Sequence, residues 1–124
     1  KKQSTTTANK EITYFKVELL SKIYQTCNDE QFYDISELDF INNMNLRASQ
    51  TSLQIKTRET ERVIYLINKL SKICTKESRA QWLEAIIINL KINNNYFNSK
   101  RTISSEDKTN LKLVAFIKDI DQIF

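Results

Sequence analysis

Apolar residues fall into short series along the chain whose spacing is that of helices. Ile12, Phe15, Leu19, Leu20, Ile23 and Cys27 recur every three or four positions, which places them on one face of a first helix over residues 9 to 27, ended by Asn28-Asp29. A shorter series of Ile35, Leu38, Ile41 and Met44 predicts a second helix, with Ser36 and Asp39 as a loose capping pair. Ahead of it, Phe32-Tyr33-Asp34-Ile35 suits either a helical turn or an extended segment, since aromatic and β-branched residues fit both in so short a run.

The strongest periodicity runs from Thr51 to Cys74, where Val63, Ile67, Leu70 and Cys74 repeat at i, i+4, i+7 and i+11 and Ile64, Leu66 and Ile73 widen the stripe. A capping box of Ser78 and Gln81 then opens a helix carrying Trp82, Leu83, Ala85, Ile86, Ile87 and Leu90, apolar over more than half its circumference and so expected at the centre of the fold. Residues 92 to 103 read as a loop, because Asn93-Asn94-Asn95 and Asn98-Ser99 compete with helical hydrogen bonds. A last helix starts at Ser104 or Ser105, with Glu106 and Asp107 favouring its positive end, and carries Leu113, Phe116, Ile117, Ile120, Ile123 and Phe124. The expected fold is an all-α, single-domain bundle of four to five helices, mostly antiparallel, over residues 9 to 124, preceded by a polar tail or linker at residues 1 to 8.

Composition sharpens this picture by what is missing. The chain of 124 residues has no Gly, no Pro and no His. Without Gly and Pro, hairpin-rich and glycine-loop nucleotide-binding folds lose their turn chemistry. Without His, the commonest general base and metal ligand are gone. Cys27 and Cys74 are too few for a zinc site and read better as buried free thiols than as one disulfide. No run approaches the ~20 apolar residues of a membrane span, which argues against integral membrane contact. The polar start at Lys1 to Thr7 suits a domain cut from a longer protein better than a processed secreted chain, and an intracellular setting follows.

Charge supplies the candidate surfaces. On a helix continuous from Thr51 to Cys74 and just beyond, Arg58, Arg62, Tyr65, Lys69, Lys72 and Lys76 lie within roughly 80° of one another, a basic stripe about 27 Å long opposite the apolar one. Glu59 and Glu61 fall off this stripe, so no acid on its own face neutralises it. Such a row could meet the phosphates of a nucleic acid or another polyanion, although a long helix in a Lys-rich chain needs a wet face anyway and the net charge is only +4. Conversely, Asp29, Glu30, Asp34, Glu37 and Asp39 lie in a stretch from Ile23 to Leu46 without Lys or Arg, a patch for a basic partner, for a second copy, or for the chain's own basic helix.

Tyr96 and Phe97, aromatics in the Asn-rich segment, either fold under it and pin it down or are offered to a partner as anchors, whereas Trp82 reads as core with its N–H on a carbonyl. For catalysis only paired carboxylates remain. Asp119 with Asp121 point to different sides of a helix, and Glu106 with Asp107 already serve a helix start, so neither pair specifies an enzyme. The expectation is a non-catalytic module that binds a protein partner, with no cofactor and no metal, a nucleic-acid-binding domain being the alternative and homo-oligomerisation left open.

Overall fold

Side-chain caps and burial decide where each helix begins. The computed structural model describes residues 13–103 and 110–124. Among them six helices form one all-α domain: α1 Val17–Cys27, α2 Glu37–Met44, α3 Thr60–Ile73, α4 Lys76–Asn89, α5 Asn94–Ile103 and α6 Leu111–Ile123. That is slightly more than the four or five expected, because the Asn-rich segment is helical. The polar tail and the Ser104 or Ser105 start lie outside the described residues.

Short polar side chains satisfy the orphan N–H groups of four helix starts. Ser36 Oγ accepts from Asp39 N at 3.1 Å to open α2, as its spacing predicts. Thr75, not Ser78, caps α4, accepting from Ser78 N at 3.3 Å. Asn93 Oδ1 accepts from Tyr96 N at 3.0 Å to open α5, and Asn110 Oδ1 accepts from Leu113 N at 3.1 Å to open α6. The α3 carbonyls are met from the next helix: Arg79 donates to Ser71 O at 2.8 Å and to Cys74 O at 3.3 Å.

Two predicted helices are shorter than their periodicity suggests. Residues 13–16 precede α1 in non-helical form, and buried Asn45 holds them: its Oδ1 accepts from Tyr14 N and Phe15 N, both at 2.9 Å. Phe15 therefore reaches the core from a strap rather than from a helix face. Residues 51–59 are not helical either. There Asn43 takes Leu53 N on its Oδ1 at 3.1 Å and gives its Nδ2 to Thr51 O at 2.9 Å. An isolated antiparallel bridge joins Phe32 to Ile55, flanked by Tyr33 N to Gln54 O at 3.0 Å and Lys56 N to Gln31 O at 2.9 Å. The segment at residues 32–35 is thus the extended alternative. Burying Phe32 edge-on to Phe40, with ring centroids 5.8 Å apart, decides it.

The central helix is α3. It buries Val63, Ile64, Leu66, Ile67 and Leu70 and packs against α4, α5 and α6, while α1 packs against α2 and α6. Of the predicted core, Val63, Ile67, Leu70, Ile86, Leu90 and Ile120 are buried and Leu83 and Ile117 are half-buried. Among the described residues, four non-glycine positions adopt positive φ, namely Asp29, Leu46, Arg58 and Lys91. Asp29, Leu46 and Lys91 sit one or two residues past the ends of α1, α2 and α4, where a glycine usually stands.

Candidate functional site

The expectation that the helix apolar over more than half its circumference occupies the centre is corrected: α3 packs against three helices and α4 lies beside it. The inner side of α4 sends Trp82 and Ile86 into the core. Trp82 is fully buried, donates Nε1–H to Met44 O at 2.8 Å, and meets Phe15 edge-on at 5.0 Å. Ile87 and Leu90 are buried beside Trp82 and Ile86, and of the large apolar residues on α4 only Ile88 is exposed. Ala80, Leu83 and Ile88 share an arc of roughly 140° on the outer side. Leu83 is half-buried on that side, while Ile88 is 68% exposed. Sequence periodicity cannot distinguish a helix wrapped on all sides from one that keeps an apolar face uncovered.

Between α4 and α5 runs a groove of about 560 Å³. Ile87, Ile92 and Phe97 form its floor, Leu83 and Ile88 one wall, and Asn94, Asn98 and Arg101 the other. Phe97 is 0% exposed, the folded-under alternative rather than the partner anchor: within the helix of residues 94–103 its ring lies under Arg101, whose guanidinium carbon is 5.0 Å from its centroid. Tyr96, at 40% exposure, remains on the surface beside Lys100.

The predicted basic stripe does not survive as a row. Arg58 precedes α3 in a positive-φ turn and Lys76 begins α4, so only Arg62, Tyr65, Lys69 and Lys72 share the α3 face. The helix starts nine residues later than expected, which removes the register that aligned its ends. Acids from outside that face then occupy two of its cations. Glu59, just ahead of the helix, takes two bonds from Arg62, at 2.6 and 2.9 Å. Asp121 on α6 receives both Lys69 Nζ and the Tyr65 hydroxyl at 2.6 Å.

Burial alone would raise both carboxyls, but the hydrogen bonds and charge of Arg62 hold Glu59 below its ordinary value, aided by Gln31 and Lys112. Lys69 and Tyr65 do the same for Asp121. The Tyr65 hydroxyl is pushed up by burial and by its acidic partner. Lys72 stays exposed, with no carboxylate within 4 Å among the described residues.

Most of the acidic segment is engaged within the chain. Asp29 pairs with Lys56 at 3.0 Å, Asp34 accepts from Asn28 at 2.8 Å, Glu37 accepts from Ser21, and Asp39 accepts from Gln50 N at 3.2 Å. Glu30 is exposed. Asp29, Asp34, Glu37 and Asp39 thus tie together the connections around α2, while Glu30 lines a surface cavity with Arg62. Of the paired carboxylates, Asp121 is held by Lys69 and Tyr65, and Glu106 and Asp107 lie outside the described residues.

Cys27 and Cys74 are free and buried; burial, with the charges of Glu59 and Glu30, pushes the Cys27 thiol up to about 12. Among the described residues no group of three or more Cys, Asp or Glu could hold a metal ion, and no helix is long and apolar enough to cross a membrane. No protein-family model, curated protein or solved structure matches the chain.

Proposed function

We propose that the chain is a non-catalytic, intracellular interaction module that binds another protein through the groove between α4 and α5, as part of a larger polypeptide or assembly. One observation carries this reading: Ile88 of α4 is left 68% exposed at the edge of a groove lined by Ile87, Ile92 and Phe97. An exposed apolar face beside a formed groove is what a helix-in-groove partner covers.

The test places a photo-crosslinking residue at position 88 and, as a control, at exposed Lys22 on α1. Nuclease-resistant protein adducts from position 88 that are absent from position 22, that disappear when excess unlabelled wild-type chain competes and that persist when excess Ile88→Glu chain is added instead, are expected. Equal adducts at both positions, or none at either, overturn the reading.

The nucleic-acid alternative rests on the stripe, and it needs several cations free to face phosphates. Arg62 and Lys69 each already hold a carboxylate, which speaks against this alternative. Binding of the wild-type chain to duplex or single-stranded probes at about 50 mM salt, lost on reversing Arg62, Lys69 and Lys72 to Glu, would restore it.

A further inference from the structure

The α4–α5 groove is not closed at its Arg101 end. Arg101 also lines a second basin of about 680 Å³, formed by α3, α5 and the end of α6 and walled by Lys69, Lys72, Asn68, Ile73 and Phe124. No Asp or Glu side chain lines this basin, and Asp121 beside it is already taken by Lys69 and Tyr65. Two cations there have unused capacity. Lys72 has no acid within 4 Å among the described residues. Arg101 is fixed by Nε–H donation to Asn68 Oδ1 at 3.1 Å and by its position over Phe97, while its terminal nitrogens meet no carboxylate within 4 Å among the described residues. A guanidinium held in one plane with its outer edge open is arranged for a carboxylate, which it can bind through two parallel bonds.

Resting on the groove reading above, we infer that the partner segment is an acidic amphipathic helix, whose apolar face lies between α4 and α5 and whose carboxylates meet Arg101 and Lys72. The two surfaces adjoin at one side chain, so a single helix with Leu-type residues at i, i+3 or i+4 and i+7 reaches both. Glu84 on the α4 wall sets the limit of the acidic side, since a carboxylate placed against it is repelled. A phosphate backbone is a poorer occupant, because it would use the cations and leave the apolar groove uncovered.

The experiment titrates the isotopically labelled chain with two designed helical peptides that share one Leu stripe and differ only in carrying Glu or Lys on the flank. The Glu peptide should bind and shift resonances on both α4 and α5, and the Lys peptide should bind at least about tenfold more weakly. Reversing Lys72 and Arg101 to Glu should invert that preference. Lys72→Glu alone, which removes no side-chain partner, should weaken the Glu peptide by about two- to fivefold if the double variant folds poorly.

Equal binding of both peptides, lost in Ile88→Glu, overturns the acidic preference and leaves the groove standing. Glu-peptide binding that survives Ile88→Glu overturns the seating and the groove reading together. No binding of either peptide at millimolar concentration, or displacement of the Glu peptide by an oligothymidine strand, also overturns the inference.

Discussion

Replacing Asn45 by Ala probes how the strap at residues 13–16 is held. The substitution removes the one acceptor shared by Tyr14 N and Phe15 N, each 2.9 Å away, and a weaker donor to Phe15 O at 3.4 Å. Phe15 N is buried and has no water to turn to, so its loss costs about 1 to 3 kcal/mol; Tyr14 N is only partly buried and costs at most about 1 kcal/mol. With the small loss of packing around a buried Asn, the expected destabilisation is about 2 to 4 kcal/mol, against roughly 5 to 15 kcal/mol for a domain of this kind.

Trp82 makes the assay direct. It is the only Trp, it lies 5.0 Å from the Phe15 ring, and its fluorescence follows both the strap and the core during urea unfolding. At a slope of about 1 to 3 kcal/mol per molar urea, the midpoint should fall by roughly 1 to 2 M. Asn45→Asp at neutral pH keeps an acceptor for both N–H groups and should retain more stability than the Ala variant. A fall below about 0.3 M for Asn45→Ala, or equal losses for Ala and Asp, would refute the idea that this amide anchors the strap.

Three further outcomes follow from the buried and paired groups. Cys27 and Cys74 should resist thiol reagents at pH 8 until the chain unfolds, and the intact mass should show no disulfide; rapid labelling of the native protein would contradict their burial. Because the folded Cys27 thiol is raised from 9.0 to about 12, its contribution to stability is fully present below pH 9 and lost as pH rises towards 12, so urea midpoints should decline across that window, and less so in Cys27→Ala. At the acid end Glu59 and Asp121 lie below their ordinary values of 4.5 and 3.8, so the stability they confer is complete above those values and is lost as pH falls through their depressed ones. Glu59→Gln with Asp121→Asn should flatten that acid decline, and an unchanged slope would show that the two ion pairs do not contribute.

Much of the fold was legible because it is local. The recurrence of Val63, Ile67 and Leu70 located the central helix, and Ser36 with Asp39 marked the start of α2. The errors come where a local signal has two meanings. Asn93-Asn94-Asn95 disfavours a helix interior, but Asn93 is a strong N-cap, and Phe97 and Arg101 stand four apart on the face that follows. Leu53 and Ile55 could extend the α3 stripe, yet their spacing of two also fits the extended segment that Phe32 and Asn43 hold in place.

The candidate site was the least legible part. Asp121 lies 52 residues from Lys69 and 56 from Tyr65, so the neutralised stripe could not be read from helix spacing. That Ile88 is left uncovered depends on which side of α4 the core takes, and Trp82 settles that only through its contact with Met44, 38 residues away.

The four positive-φ residues have a consequence for how far this chain is from its own optimum. Each carries a Cβ where the left-handed region crowds it, at about 1 kcal/mol relative to a glycine there, and the chain contains no glycine at all. Leu46 also packs against the core and Asp29 pairs with Lys56, so those two side chains recover part of the strain. Lys91 and Arg58 are exposed and make no ion pair among the described residues. Their strain is uncompensated, and the domain therefore holds a margin of stability that single glycine substitutions at surface turns can release without altering the groove.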